Sequence, residues 1–168
     1  MSRDTKERLL DAALRLFAAR GFDGTSIRAV AQEAGASVSA ANYHFGSKQA
    51  LVQQALVRRM RPLNERRLAA LTAAERAGDD RPPSLETIVE AFLRPGFEAE
   101  WNGPESRSSY RNVAAQIYTD PHDVLSSIKM EVFAPVVARF IDALEHALPE
   151  RTREELALDF QFLIGVMI

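Results

Sequence analysis

The side chains able to recognise a partner gather in one stretch, Thr25 to Lys48. Thr25, Ser26, Arg28, Ser37, Ser39, Asn42, Tyr43, His44 and Lys48 supply donors, acceptors and cations there, with Val38 and Ala40 as small apolar neighbours. That mixture suits binding rather than bond-breaking. The chain has no cysteine to act as nucleophile, thiolate ligand or disulfide partner. His44, His122 and His146 lie too far apart in sequence for a local metal motif. Glu154-Glu155 reads as a helix start rather than an acid–base pair, and neither a Gly-x-Ser-x-Gly elbow nor a phosphate-cradling glycine loop occurs. No enzyme is expected, and no cofactor or metal is implied.

Short helices must position these residues. A first helix over about 5–20 carries Leu9, Leu10, Ala13, Leu14 and Phe17 as one apolar stripe, and Gly21 can stop it. Thr25 or Ser26 caps a second helix, whose Ile27, Val30, Ala31 and Ala34 form a buried face two turns long. Gly35 ends it, Ser37 caps a third helix over about 38–45, and Phe45 anchors that helix inward. Two helices this short, joined by a glycine turn, make a helix-turn-helix over about 26–45.

Everything further along also reads as helix, so the expected fold is all-α. Ser47 caps a long fourth helix to about Arg76, with a kink or break near Arg61 caused by Pro62. A fifth helix starts at Ser84 and should stop at Pro95-Gly96; a sixth covers about 106–118. Asp120-Pro121 opens a seventh that reaches about Leu148 and bends at Pro135. Thr152-Arg153-Glu154-Glu155 is a capping box for the eighth. That helix ends while still strongly apolar, which calls for a covering partner or further residues.

Charge divides the chain. Residues 1–78 hold 13 Lys and Arg against 7 Asp and Glu, whereas residues 79–168 hold 8 against 16, within an overall net charge of −2. A basic front on an acidic remainder is the expected footprint when only the front meets a polyanion. With 46% apolar and 26% charged residues the composition is that of a folded protein. No signal peptide or membrane-length apolar run is evident, so a soluble, cytoplasmic protein with no membrane partner is expected.

The run Gly21-Phe22-Asp23-Gly24-Thr25-Ser26-Ile27-Arg28-Ala29-Val30-Ala31, then Gly35-Ala36-Ser37, then Asn42-Tyr43-His44-Phe45-Gly46-Ser47-Lys48-Gln49-Ala50-Leu51, resembles the head of TetR/AcrR-type transcriptional regulators. The specific part covers about residues 5–55. The resemblance implies a three-helix DNA-binding head over 1–48. It also implies a helical regulatory, ligand-binding and dimerisation domain over 49–168, which would be incomplete if a further helix follows. It further implies a homodimer on a palindromic operator of double-stranded DNA, most often a repressor, released by a small-molecule effector. The sequence departs from the family pattern where Ala36 replaces a usual Val, Ala41 a usual Leu or Ile, and Asn42 a frequent Tyr. These departures leave open a second reading, a helical small-molecule-binding or adaptor protein whose head no longer uses DNA.

On the DNA reading the third helix enters the major groove. Ser37, Ser39 and Ala40 keep its first turn narrow, Val38 and Ala40 offer contact to thymine methyls, and Asn42 can pair with adenine or stay solvated. The position of Arg28 aligns with a guanine-reading arginine in some family members. Thr25 and Ser26 stand at a helix start that favours phosphate. Tyr43, His44 and Lys48 resemble phosphate contacts, the alternative for Tyr43 being packing against the first helix. In the remainder, Phe92, Phe97, Trp101, Tyr110, Tyr118, Met130, Phe133 and Phe140 either line an effector pocket or form core, and Arg94, Arg111 and His122 are candidate partners for an acidic effector.

Overall fold

Apolar periodicity becomes helix throughout the residues that the computed structural model describes: 2–78, 81–98, 105–119 and 122–167. In order these are α1 (Ser2–Arg20), α2 (Ile27–Glu33), α3 (Val38–Phe45), α4 (Lys48–Ala77), α5 (Leu85–Glu98), α6 (Glu105–Thr119), α7 (Asp123–Ile128), a π-helical turn (Lys129–Phe133), α8 (Ala134–Ala147) and α9 (Arg153–Met167). The described residues contain no strand. None of the described helices is long and apolar enough to cross a membrane. The expected cap Asp120-Pro121, Trp101, and the side chains of Tyr110 and Arg111 lie outside the described residues.

Packing sorts the chain into two compact units, Met1–Arg59 with Trp101–Lys129, and Met60–Glu100 with Met130–Ile168. This differs from a single cut at residue 48, because α6 and α7 join the N-terminal head and α4 supplies residues to both units. In the first unit α1 packs on α2, α3 and α6. Its core joins Leu9, Leu10, Ala13 and Leu16 of α1 to Val30, Ala31, Ala41, Phe45, Leu51 and Ala55, while Leu14 is only partly buried. The alanines let short helices approach closely, which compensates for how little surface each can bury. Arg58 reaches back from α4 to the carboxylates of Glu7 (2.6 Å) and Asp11 on α1.

In the second unit α5 packs on α8 and α8 on α9. Phe92, Phe140 and Phe160 form its aromatic centre, with ring centroids 4.7 to 6.0 Å apart. Three prolines lie inside helical stretches. α4 runs unbroken through Pro62, which is exposed, so the carbonyl it deprives of a bond can face water. α5 does not stop at Pro95-Gly96 but reaches Glu98, with Pro95 buried inside it. Beside that interruption the Phe92 carbonyl accepts a bond of 2.9 Å from Nε of Arg67. The long helix expected across Pro135 runs without a break from Asp123 to Ala147, and the missing N–H falls where the π turn passes into α8. Asn64 donates across to the Val132 carbonyl in that turn (2.8 Å). The polar side chains of α4 thus meet backbone carbonyls beside two proline interruptions.

The capping box at α9 forms as expected. Glu155 N–H donates to Thr152 Oγ1 (3.3 Å) and Thr152 N–H donates to Glu155 Oε2 (2.9 Å). The Thr152 backbone bond, then Arg151, hold the Glu155 carboxyl below its ordinary value of 4.5. A depressed folded value means stability present above the ordinary value and lost as pH falls through the folded one. Glu155→Gln is therefore expected to lower the unfolding midpoint at neutral pH, with the deficit vanishing as acid protonates the native carboxylate. A deficit that stays constant down to about pH 3 in denaturant titrations would contradict this.

Candidate nucleic-acid interface

Both helices of the helix-turn-helix are capped by the side chain expected to do so. Ser26 Oγ accepts from Ala29 N–H (3.1 Å) and Ser37 Oγ from Ala40 N–H (3.0 Å). Between them Gly35 adopts φ +59°, a left-handed conformation that costs glycine nothing and lets α3 set off in a new direction. Arg8 on α1 donates to the Ala34 carbonyl (3.1 Å), so the end of α2 is closed from the opposite side. Arg15 of α1 meets Glu33 of α2 (3.3 Å).

With Ala41 and Phe45 inward, α3 presents Val38, Ser39, Asn42 and Tyr43 outward. Tyr43 is 85% exposed, which rules out packing against α1; its ring meets only the edge of His44 among the described rings (centroids 5.4 Å apart). His44 is half-buried beside Phe45, Ala40 is half-buried, and Arg28 stands exposed on α2 with no hydrogen bond or ion pair among the described residues. The reader and grip residues expected on α3, with Arg28 and Ser26, therefore share one capped, outward-facing head.

Two members of the expected grip are placed otherwise. Thr25 is 1% exposed; its hydroxyl donates to the Gly21 carbonyl (2.7 Å) and its N–H to the Phe22 carbonyl (3.2 Å). It closes the turn after α1 and has no donor left for a phosphate. Lys48 donates from Nζ to the Phe22 carbonyl (3.0 Å) and lies 4.1 Å from the centre of the Phe22 ring. Its ammonium keeps two further donors, so it is oriented rather than consumed.

The expected effector-pocket residues that are described fall in both units. Phe92, Phe133 and Phe140 are buried core, Phe97 and Met130 are exposed, and Tyr118 belongs to the first unit with Lys129 over its ring (5.8 Å). Arg94 pairs with Glu90 one turn earlier on α5, and His122 stands 3.2 Å from Asp23. Phe160 is not among those candidates, although its spacing from Leu156 and Ile164 marks the buried face of α9. Nor are Asn64 and Arg67 foreseen as buried side chains, for which no sequence signal exists on a polar helix.

Residues 9–55, the helices just described, match the model for bacterial regulatory proteins of the tetR family, and residues 90–168 match a tetracyclin repressor-like C-terminal domain. The chain belongs to the TetR family. Over 92 residues, 55% of this chain, it is 34% identical to the uncharacterized HTH-type transcriptional regulator TtgW of Pseudomonas putida, a match spanning 63% of that protein. The chain thus aligns with under two thirds of that curated relative. Among solved structures, the hemolysin II transcriptional regulator HlyIIR has the same fold at a TM-score of 0.71 and 19% identity, covering 98% of this TetR chain and 87% of HlyIIR. A Saccharomonospora viridis protein solved in complex with choline has it at 0.68 and 22%, covering 95% and 80% of the respective chains.

Proposed function

We propose that this TetR-family chain is a DNA-binding transcriptional regulator, a repressor that a small-molecule effector releases from a palindromic operator. The observation that carries the reading is the α3 surface, where Val38, Ser39, Asn42 and Tyr43 point outward from a helix capped at Ser37 and fixed by Ala41 and Phe45. Small side chains with one amide and one phenol suit close approach to base edges in the major groove. Asn42 and Val38 read bases, Arg28 is a second reader from α2, and Tyr43, His44, Lys48 and Ser26 hold phosphates.

A homodimer would place two heads on successive half-sites about 34–36 Å apart. Leu158 and Phe162, exposed one turn apart on α9, support that helix as the face for a second copy. Choline in the Saccharomonospora viridis protein supports a small-molecule role for this fold; the effector acts only through its different affinity for the two states, about 1.4 kcal/mol for each tenfold loss of DNA affinity. The protein works in the cytoplasm and has no catalytic role.

Selection of genomic fragments by the purified chain tests the reading. Enrichment of fragments that share two inverted half-sites is expected. Recovery no better than with protein omitted, at low salt, would refute it and favour a helical binding protein without a DNA target.

A further inference from the structure

The α1–α2 turn is held from two directions within one compact unit. Phe22, buried in that turn, accepts Lys48 Nζ at its carbonyl (3.0 Å) and carries the ammonium over its ring (4.1 Å). His122, the residue preceding α7, packs on the same ring with centroids 4.7 Å apart and a tilt of 50°. Its Nε2 stands 3.2 Å from Asp23 Oδ1. One helix earlier, Gln116 of α6 donates to the Ala18 carbonyl at the end of α1 (3.4 Å). Residue 122 lies outside the stretch that matches the DNA-binding family model and inside the one that matches the C-terminal model.

We propose that His122 is a positioning residue for DNA binding. The imidazole fixes the Phe22 ring and the Asp23 carboxylate. Phe22 in turn fixes where the Lys48 ammonium stands beside the end of α3. Docked on a carbonyl and a ring face, the ammonium is held where a phosphate can meet it; freed, it spreads over rotamers that leave that phosphate to its counterions. The α6–α7 segment thereby acts on the grip through the α1–α2 turn. Loosening the His122 contact releases Lys48 without touching the groove reader.

This inference rests on the regulator reading, and the experiment separates the two. His122→Ala, His122→Gln, Lys48→Ala and the double variant His122→Ala/Lys48→Ala are titrated, as full chains, on a fragment selected by the unaltered protein, across a salt series. His122→Ala is expected to weaken binding about three- to tenfold and to flatten the slope of log affinity against log salt by about 0.9, the share of one phosphate contact. Lys48→Ala should do the same, and the double variant no more than either alone. His122→Gln, which keeps an N–H near the position of Nε2, should recover most of the affinity. A general loss of folding would lower the active fraction in every background and leave the slope unmoved. Full affinity and slope in His122→Ala, or additive losses in the double variant, would overturn the inference while leaving the regulator reading intact. Absence of any selected fragment for the unaltered chain would remove both.

Discussion

Replacing Arg67 by Ala is expected to cost on the order of 3–5 kcal/mol of unfolding free energy, far more than a surface arginine. Arg67 is 1% exposed, donates from Nε to the Phe92 carbonyl (2.9 Å) and from Nη1 to Asn64 Oδ1 (3.3 Å), and lies 4.0 Å from the centre of the Phe92 ring. Truncation to Ala strands two acceptors in a dry interior and opens a void beneath a large ring. Each stranded acceptor costs about 1–3 kcal/mol, and the void adds to it. One of these acceptors, the Phe92 carbonyl, ties α4 to α5 and the other, Asn64 Oδ1, lies on α4 itself, so the loss should fall on the second unit. Arg67→Met fills much of the void but donates nothing, and is expected to recover only part of the deficit. Urea unfolding of the three proteins provides the check. A loss under about 1 kcal/mol in the alanine variant would mean that these bonds are not held in a dry interior.

Tyr43→Ala should do the opposite, leaving the fold alone and reducing function. The ring is 85% exposed, and its removal is expected to change stability by less than about 0.5 kcal/mol. If Tyr43 holds a phosphate, its loss weakens binding to every DNA sequence by a similar factor, because such contacts set register without reading bases. A cation removed at Lys48 additionally lowers the salt slope by about 0.9, which a neutral phenol does not. Combined, Tyr43→Ala and Lys48→Ala are expected to weaken binding to selected and random fragments alike, leaving the ratio between them close to that of the unaltered chain. Competition titrations on selected and random fragments separate these outcomes. Unchanged affinity in both variants would remove Tyr43 and Lys48 from the grip.

The head was legible because its signals are local. Ser26 and Ser37 cap their own helices, Gly35 takes the turn, and Ala41 and Phe45 alternate with an outward face at helical spacing. Thr25 misled for the same reason. Ser and Thr side by side at a helix start offer two equivalent caps, and only the path of the preceding turn decides that Thr25 goes inward to Gly21. Further along, the decisive interactions join residues distant in sequence. Nothing near Pro95 announces that Arg67 will satisfy a carbonyl beside it, and nothing near Pro135 announces Asn64. The proline rule foretold a stop at Pro95-Gly96 where α5 continues to Glu98. Aromatic residues mark a core and an effector pocket equally well from sequence, and Phe92 and Phe140 proved to be core.

Methylation interference on a selected fragment puts the central claim to its most direct test. Methyl groups at guanine N7 project into the major groove, and those at adenine N3 into the minor groove. With α3 carrying the reading surface, binding should be blocked by guanine N7 methylation in two clusters one helical turn apart, with adenine N3 methylation between them tolerated. Interference confined to adenine N3, or absent at every base while binding persists, would contradict a head that reads DNA through α3.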